Sequence, residues 1–433
     1  MRAFVRCGLE PRLRLQRGVG ALRTGLFKLA KKRAIAKLPR MTAVLDFGPM
    51  VSSTERLSGF LHAIRELAPL IAEHRSAFDR DRRLPAPVFN ALADAGLFRL
   101  WLPHELGGPA LSPLEFMQVV EAAAALDGSV GWLVGNGGGM SRVGGYLPAS
   151  VAGGWFANPR TFVCSATGAV GSITPVDGGY RLSGRWPFGS GAPHATHFMG
   201  LATVGGSQSP DQPRFCCYVT REHVAIHDTW HVSGLRATGS SDFEVCDAFI
   251  PVEHTHRFIG LEPTQPGLLY RMPPLSVFAW TVSVVPLGIA RGAIDAFVAL
   301  ANTKSRLGTS GLLRDREIVQ ANVGRAEALH EAARAYLAEA MTELMTATDI
   351  GSERLDRARA RLRVAGAHAA ESALRVVGIM AADAGSAAIF ETGLLERAVR
   401  DVQAAVKHIA MNPSSYIVAG RLALGLDAGT ARI

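Results

Sequence analysis

Between residues 46 and 160 the hydrophobic positions follow the period of an α-helix. Apolar residues recur every three or four positions from 57 to 71, which places them on one helix face. They are Leu57, Phe60, Leu61, Ile64, Leu67, Leu70 and Ile71. The sequence Ser112-Pro113-Leu114-Glu115 combines an N-cap residue, a proline at the first helical position and a capping-box acid. We therefore predict an N-terminal helical domain over 46–160.

From 161 to 272 the pattern changes to short runs of β-branched and aromatic residues, which Gly, Pro, Asp and Ser separate. Such runs are typical of strands and predict a small central all-β domain, either a barrel or a sandwich. From 273 to 433 long stretches rich in Ala, Leu and Arg return to the helical period. They predict a C-terminal four-helix bundle, so the expected fold class is α+β.

The longest uncharged stretch, residues 272–290, approaches the length of a membrane span. Pro273 and Pro274 open it, Pro286 interrupts it, and Arg291 follows directly. We expect a buried helix of the bundle here, and no membrane partner.

The net charge is +9, but the excess of basic residues is confined to the start of the chain. Residues 1–40 hold twelve Lys or Arg and one acid, Glu10. The rest of the chain is slightly acidic, which argues against a nucleic-acid partner. We interpret residues 1–45 as a basic, disordered extension, with Met41 as a second possible start. A targeting segment and a partner-binding arm are the alternatives.

Composition and short motifs exclude several classes of site. The five cysteines show no CxxC or histidine-spaced pattern, so we predict neither a disulfide scaffold nor a metal site, and we expect a reducing, cytoplasmic compartment. The patterns of a P-loop, of the GxSxG hydrolases and of the HExxH metalloproteases are also absent. These signals alone assign no function.

Four segments, in order, resemble the acyl-CoA dehydrogenase superfamily. Residues 97–132 (LFRLWLPHELGG…GSVGW) are similar to its N-terminal helical domain, and 180–202 (YRLSGRWPFGSG…) to the flavin-facing part of its β domain. Residues 230–255 (WHVSGLRATGSS…) resemble the signature that closes that domain, and 394–412 (LLERAVRDVQ…) the Arg-Asp helix of its terminal bundle. The resemblance implies an N-terminal helical domain, a central β domain and a C-terminal four-helix bundle.

The resemblance also argues against dehydrogenation. Dehydrogenases of this superfamily use a carboxylate to remove the α-proton of an acyl thioester. Its two usual positions correspond to Ile409 and Phe278, and both are apolar. His408, beside the first position, resembles the histidine of the group D flavin-dependent monooxygenases, which share this fold. Asp401, on the same predicted helix face, could orient the His408 ring or form a structural ion pair with Arg400.

The resemblance implies residues that hold a reduced flavin. Phe188 and Ser190 take the positions of an aromatic residue and a hydroxyl against the flavin, with Ser190 at flavin N5. Ser165 takes the position of a second polar contact to flavin or substrate. Lys304 takes that of an arginine that reaches the dinucleotide phosphates of a neighbouring subunit. Each could instead be structural: a turn serine, a strand serine and an exposed lysine are the alternatives.

The substrate side is implied in the same way. Trp132, Asn136 and Met140 take positions that line the substrate pocket in relatives, although core packing would also explain Trp132 and Met140. His408 takes the position of a histidine that deprotonates a phenol or donates to the flavin peroxide. Imidazole suits these roles because its pKa lies near working pH, but a packed bundle histidine is the alternative. Phenol hydroxylases carry a histidine where this chain has Met140, which favours a larger, more apolar aromatic substrate.

The implied function is the oxygenase component of a two-component flavin-dependent monooxygenase. A separate NAD(P)H:flavin reductase would supply FMNH₂ or FADH₂, which reacts with O₂ to a C4a-hydroperoxyflavin and oxygenates an aromatic or heteroaromatic small molecule. The segment that holds the adenosine half of FAD in dehydrogenases is not readable at 375–387, which favours FMNH₂ or loosely held FADH₂. We expect a homotetramer. The alternatives are an acyl-CoA dehydrogenase with a relocated base and a relative that has lost its chemistry.

Overall fold

Helices lie at both ends of the described chain, and the strands lie between them. This computed structural model describes residues 52–209, 211–260, 262–305, 311–351 and 354–429. The predicted basic extension, 1–45, lies outside these ranges. The helices before the strands are α1 (Ser53–Asp81), α2 (Ala86–Asp94), α3 (Pro113–Leu126), α4 (Gly128–Met140) and α5 (Ala149–Phe156). The strands are β1 (Val163–Val176), β2 (Gly179–Trp186), β3 (His197–Val204), β4 (Phe215–Thr220), β5 (Ala225–His227), β6 (Asp242–Pro251) and β7 (Thr255–Arg257). The helices after them are α6 (Leu268–Arg271), α7 (Pro274–Ser283), α8 (Val285–Ala301), α9 (Glu317–Asp349), α10 (Leu355–Ala384), α11 (Leu394–Ala405) and α12 (Ser414–Ala423).

The helix α3 begins where the sequence predicts. The side chain of Ser112 accepts a hydrogen bond from the backbone of Glu115, whose carboxylate accepts one from the backbone of Ser112. This capping box satisfies two of the backbone N–H groups that a helix start leaves without partners. The same arrangement, between Ser52 and Glu55, begins α1.

The helix α4 is rich in glycine because its neighbours lie close to its backbone. A Cβ on Gly131 would lie 2.3 Å from the Cβ of Ala124 in α3, and a Cβ on Gly135 would lie 2.3 Å from the carbonyl oxygen of Thr281 in α7. No side chain fits at these distances, so glycine is required for the packing of α4 against both helices.

The central strands form one seven-stranded mixed sheet in the order β5-β6-β2-β1-β3-β4-β7. Strands β1 and β3 are parallel, and the other neighbours are antiparallel. The short strands β5 and β7 are its two edges within the described chain, so the predicted central β domain consists of one mixed sheet. The indole of Trp186 is fully buried and donates a hydrogen bond to the carbonyl of Leu201 at 2.9 Å.

The C-terminal helices confirm the predicted bundle and the α+β fold class. Helix α10 packs against α8, α9 and α11, and its contacting face is formed mainly by alanine and valine.

The uncharged stretch 272–290 forms α7 and the start of α8, and most of its side chains are buried. Two stretches, Pro274–Ala301 and Leu355–Ile389, are long and apolar enough to cross a membrane by length and composition alone. The most apolar window of the first is 61% buried in the protein, as in the core helices of soluble proteins.

Candidate flavin and substrate site

A chain of four hydrogen bonds fixes the hydroxyl of Ser190, in the loop after β2. The Oγ1 of Thr238 donates to the carbonyl of Leu235 at 2.8 Å, so Thr238 can only accept from the Oγ of Ser240, 2.7 Å away. Ser240 therefore accepts from Ser190 at 2.9 Å, and Ser190 accepts from the indole Nε1–H of Trp132 at 2.9 Å. The proton of Ser190 is committed to Ser240, and one lone pair on its oxygen has no donor among the residues that the structure describes.

His408 lies against the same tryptophan. Its ring makes an edge contact with the ring of Trp132, with 5.7 Å between centroids. Its Nδ1 accepts a hydrogen bond from the backbone N–H of Ala410 at 3.1 Å, because His408 caps the short 3₁₀ helix Ile409–Met411. The structure therefore brings three predicted residues, Ser190, Trp132 and His408, into one cluster.

The environment of His408 sets its charge and its tautomer. Burial, with a smaller contribution from the charge of Arg363, lowers the pKa of His408 to about 4. This value contradicts the expectation of a pKa near working pH, and the ring is neutral at pH 7. With Nδ1 accepting, the single ring proton resides on Nε2. The ring is thus a hydrogen-bond donor at Nε2 and not a base there.

The expected relation between Asp401 and His408 is also wrong. Helix α11 ends at Ala405, so the two residues do not share a helix face. Asp401 is buried and accepts a hydrogen bond from the backbone N–H of Leu235 at 2.7 Å, which joins α11 to the loop before β6. Arg400 pairs instead with Asp79 at 2.6 Å and with Glu396 at 3.0 Å. Asp401 therefore positions the loop that carries Thr238 and Ser240.

The remaining predicted pocket residues line two adjoining cavities. A narrow cavity is lined by Asn136, Met140 and Ser165, and the Nδ2 of Asn136 donates to the carbonyl of Trp132 at 2.8 Å. A larger cavity of about 230 Å³ shares Met140, Arg142 and Phe278 with the narrow one. Among the described residues, no Asp or Glu lines either cavity. The carboxylate that dehydrogenation needs is therefore missing from the described lining of both cavities.

Comparison with known proteins identifies the family. The N-terminal domain of the acyl-CoA dehydrogenase family matches residues 59–144, and its C-terminal domain matches residues 280–413. Indole-3-acetate monooxygenase of Pseudomonas putida is 30% identical over 87% of this chain and 95% of its own length. The oxygenase subunit HsaA of a flavin-dependent monooxygenase from Mycobacterium tuberculosis is 28% identical over 86% of this chain and 97% of its own. The chain belongs to the flavin-dependent monooxygenases with the acyl-CoA dehydrogenase fold.

Solved structures of these monooxygenases superpose on the described fold. The crystal structure of M. tuberculosis HsaA covers 87% of this chain and all of its own, with a TM-score of 0.77 and 26% identity. XiaF from Streptomyces sp., in complex with FADH₂ and glycerol, covers 88% of this chain and 98% of its own, with a TM-score of 0.80 and 23% identity. As a flavin-dependent monooxygenase, this chain is an oxidoreductase.

The residues around Ser190 in this monooxygenase fit a planar cofactor. The ring of Phe188 is 68% exposed and touches only the edge of Trp230 among the described aromatic rings, at 6.3 Å between centroids. Phe188 also has a φ of +62°, a backbone conformation that is costly for an aromatic residue. The exposed Phe188 ring offers a surface on which a flavin ring would stack, and the buried Ser190 hydroxyl beside it offers a hydrogen-bond partner.

Lys304 lies apart from this cluster. It follows α8, and its Nζ donates to the carbonyl of Ala384 at the end of α10, at 2.8 Å. The described chain therefore does not bring Lys304 to Ser190, and its contact with a neighbouring subunit stays a prediction.

Sequence reasoning missed Thr238, Ser240 and Arg142. The segment that carries Thr238 and Ser240 was part of the resemblance, but nothing in its pattern says which hydroxyl meets Ser190. Arg142 follows α4 two residues after Met140, and a single arginine beyond a helix end gives no signal of burial. Its position only becomes visible once α4, α7 and the sheet are assembled.

Proposed function

We propose that this monooxygenase is the oxygenase component of a two-component system that oxygenates an aromatic or heteroaromatic small molecule. A separate NAD(P)H:flavin reductase supplies FMNH₂ or FADH₂ by diffusion. When bound, the reduced flavin reacts with O₂, so that one oxygen atom enters the substrate, the other leaves as water, and the flavin is oxidised. The observation that carries the proposal is the Ser190–Trp132–His408 cluster. Asn136, which bonds to the carbonyl of Trp132, lines the narrow cavity, and no described carboxylate lines either cavity.

Ser190 binds the reduced flavin at N5. Its proton is committed to Ser240, so its remaining lone pair accepts and does not donate. The N5 position of a reduced flavin carries a proton, and an acceptor there favours that protonated form. Phe188 and Ser165 contact the ring system, and Lys304 binds flavin phosphate from a neighbouring subunit.

His408 acts as a donor to the reacting oxygen or to the substrate. Its neutral ring holds a proton at Nε2, whereas Nδ1 is occupied by the backbone of Ala410. Of the two roles that the resemblance allows, donation therefore suits the geometry better than deprotonation of a phenol. Asn136 and Met140, with Trp132, contact the substrate, and the apolar residues around them exclude water.

The assembly and the compartment complete the proposal. We expect a homotetramer formed through the C-terminal helices, in the cytoplasm, with no membrane and no nucleic acid as partners. Lys304 would reach the flavin phosphates of a neighbouring subunit in such an assembly.

The function is tested by reconstitution. The purified chain is mixed with a flavin reductase, NADH, FMN or FAD, and indole-3-acetate or a phenol, and the products and H₂O₂ are quantified. We expect oxygenated product only when reductase, flavin and O₂ are all present. Reduction of bound FAD by an acyl-CoA, without oxygenation of any aromatic compound, would show an acyl-CoA dehydrogenase instead.

The role of His408 is tested by His408→Ala, with the exposed neighbour Lys407→Ala as the matched control. We expect His408→Ala to lower product formation about 100-fold, as loss of one preorganised donor does, while anaerobic binding of reduced flavin is retained. Lys407→Ala should behave as the wild type. Equal turnover in both variants would remove His408 from the mechanism.

A further inference from the structure

The larger cavity, of about 230 Å³, lies between the end of α4, strands β4 and β7, and the helices α6 and α7. Its volume is below that of most drug-sized ligand pockets, so it suits a small acid of one or two rings. Six of the fourteen described residues that line it are aromatic: Tyr146, Tyr218, His256, Phe258, Tyr270 and Phe278.

Arg142 is a buried cation in this wall. Only 5% of it is exposed, and its Nη1 is buried without a hydrogen-bond partner among the described residues. Its guanidinium carbon lies 4.9 Å from the ring centroid of Phe278 and 5.3 Å from that of Tyr146. Two aromatic faces stabilise a cation only in part, and a buried guanidinium normally has a carboxylate partner. No described Asp or Glu forms an ion pair with Arg142.

The other titratable groups of the wall do not compensate this charge. Arg271 also lines the cavity, but it pairs with Asp349 at 2.8 Å. Burial, together with the charge of Arg142, lowers the pKa of His256 to about 4, so His256 is neutral at pH 7. Burial raises the pKa of Tyr146 and of the other two tyrosines, which are neutral as well. The wall therefore carries one uncompensated positive charge.

We propose that Arg142 binds the carboxylate of the substrate, and that the substrates of this monooxygenase are small aromatic carboxylic acids. The guanidinium offers a planar fork of N–H donors, which matches a carboxylate. Arg142 also lines the narrow cavity with Asn136 and Ser165, so an acid held at Arg142 presents its ring toward the candidate flavin site. The inference rests on the proposed function and specifies its substrate class.

The test is a binding measurement on the purified full-length chain, which needs no turnover. Isothermal titration compares matched pairs: phenylacetate with phenylacetamide, and indole-3-acetate with indole-3-acetamide. We expect at least one acid to bind about 10-fold more tightly than its amide. In Arg142→Met we expect its affinity to fall about 30-fold or more, as for loss of one partner of a buried charged pair, while the amide is little affected.

Two further variants separate charge from folding. Arg99→Met removes another half-buried arginine, which lies over the ring of Phe156 at 5.9 Å and lines neither cavity, and it should leave acid binding unchanged. Arg142→Lys keeps the charge and should keep a preference for acids, with weaker binding.

The proposal is wrong if no acid binds more tightly than its amide to the wild type, or if Arg99→Met weakens acid binding as much as Arg142→Met. Acid binding that depends on Arg142, together with a failure to oxygenate, would overturn the proposed function but not this site.

Discussion

Replacing Ser190 by alanine would test the hydrogen-bond chain from which we infer the flavin site. Ser190 is 7% exposed, accepts from the indole of Trp132 and donates to Ser240. The substitution removes one oxygen atom and leaves the backbone of the loop unchanged. The Nε1–H of Trp132 would then be buried without an acceptor.

The expected cost follows from that orphaned donor. A buried donor left without a partner costs about 1–3 kcal/mol, whereas Ser240 keeps its bond to Thr238 and loses little. We therefore expect Ser190→Ala to lower the free energy of unfolding by about 1–3 kcal/mol. In a Trp132→Phe background the donor is already absent, so the same substitution should cost about 1 kcal/mol less.

Equilibrium unfolding in urea measures these free energies for the wild type, the two single variants and the double variant. Coupling is measured in the reconstituted system as the fraction of NADH that appears as oxygenated product and not as H₂O₂. We expect Ser190→Ala to shift this fraction strongly toward H₂O₂. Ser240→Ala keeps Ser190 and the bond from Trp132 and removes only the acceptor of the Ser190 proton, so it shows separately whether the direction of that proton affects coupling.

Two results would contradict this reasoning. If Ser190→Ala costs as much with Phe at position 132 as with Trp, the indole–hydroxyl bond does not account for the loss of stability. If Ser190→Ala keeps the product fraction of the wild type, Ser190 does not contact the reactive flavin.

Three further predictions concern stability, measured as the free energy of unfolding. Gly135→Ala should destabilise by about 1–3 kcal/mol, because its Cβ would meet the carbonyl of Thr281, whereas Gly154→Ala, with open space around it, should be neutral or slightly stabilising. Arg397→Met should lower the free energy of unfolding by about 3–5 kcal/mol, because the buried Asp127 would lose its closest cation, 3.5 Å away. An unchanged unfolding midpoint would show that this buried ion pair does not stabilise the fold. Burial lowers the pKa of four histidines to about 4: His194, His197, His256 and His408. Between pH 4 and 6.5 each of these histidines binds a proton in the unfolded chain and not in the folded one, whereas the buried carboxyls of Asp127 and Asp401, whose pKa values burial raises, act in the opposite sense. Because four groups outweigh two, stability should be full above pH 6.5 and fall as the pH drops toward 4, which titration of the unfolding midpoint against pH would check.

The fold was predictable because its signals are local. The capping box at Ser112 fixes the start of α3, and helical periods mark both ends of the chain. The arrangement of the strands was not predictable, since the parallel pairing of β1 with β3 depends on residues far apart in sequence. The end of α11 at Ala405 was missed for a similar reason. No Gly or Pro follows until Pro413, and the helix ends where the backbone at Ala410 turns back to the Nδ1 of His408.

The sequence could propose site residues only where a residue has one position in a known motif. Ser190 and His408 were proposed in this way, and the structure places both against Trp132. Their chemical states were not predictable. The partner to which the Ser190 hydroxyl donates its proton depends on Thr238 and Ser240. The neutral form of His408 depends on its burial, which arises only when the chain is folded.

Helix α4 connects these features into one arrangement. Trp132, Asn136 and Met140 recur at every fourth position, so they lie on one helix face, and Arg142 follows just beyond the helix end. Trp132 holds the hydroxyl at the candidate flavin site, while Met140 and Arg142 line the larger cavity at the other end. The glycines on the other faces of α4 allow it to lie close to α3 and α7, so α4 cannot shift without clashes. Packing therefore fixes the distance between Trp132, at the candidate flavin site, and Arg142, in the larger cavity. For this reason the length of the substrate should limit turnover as strongly as its charge.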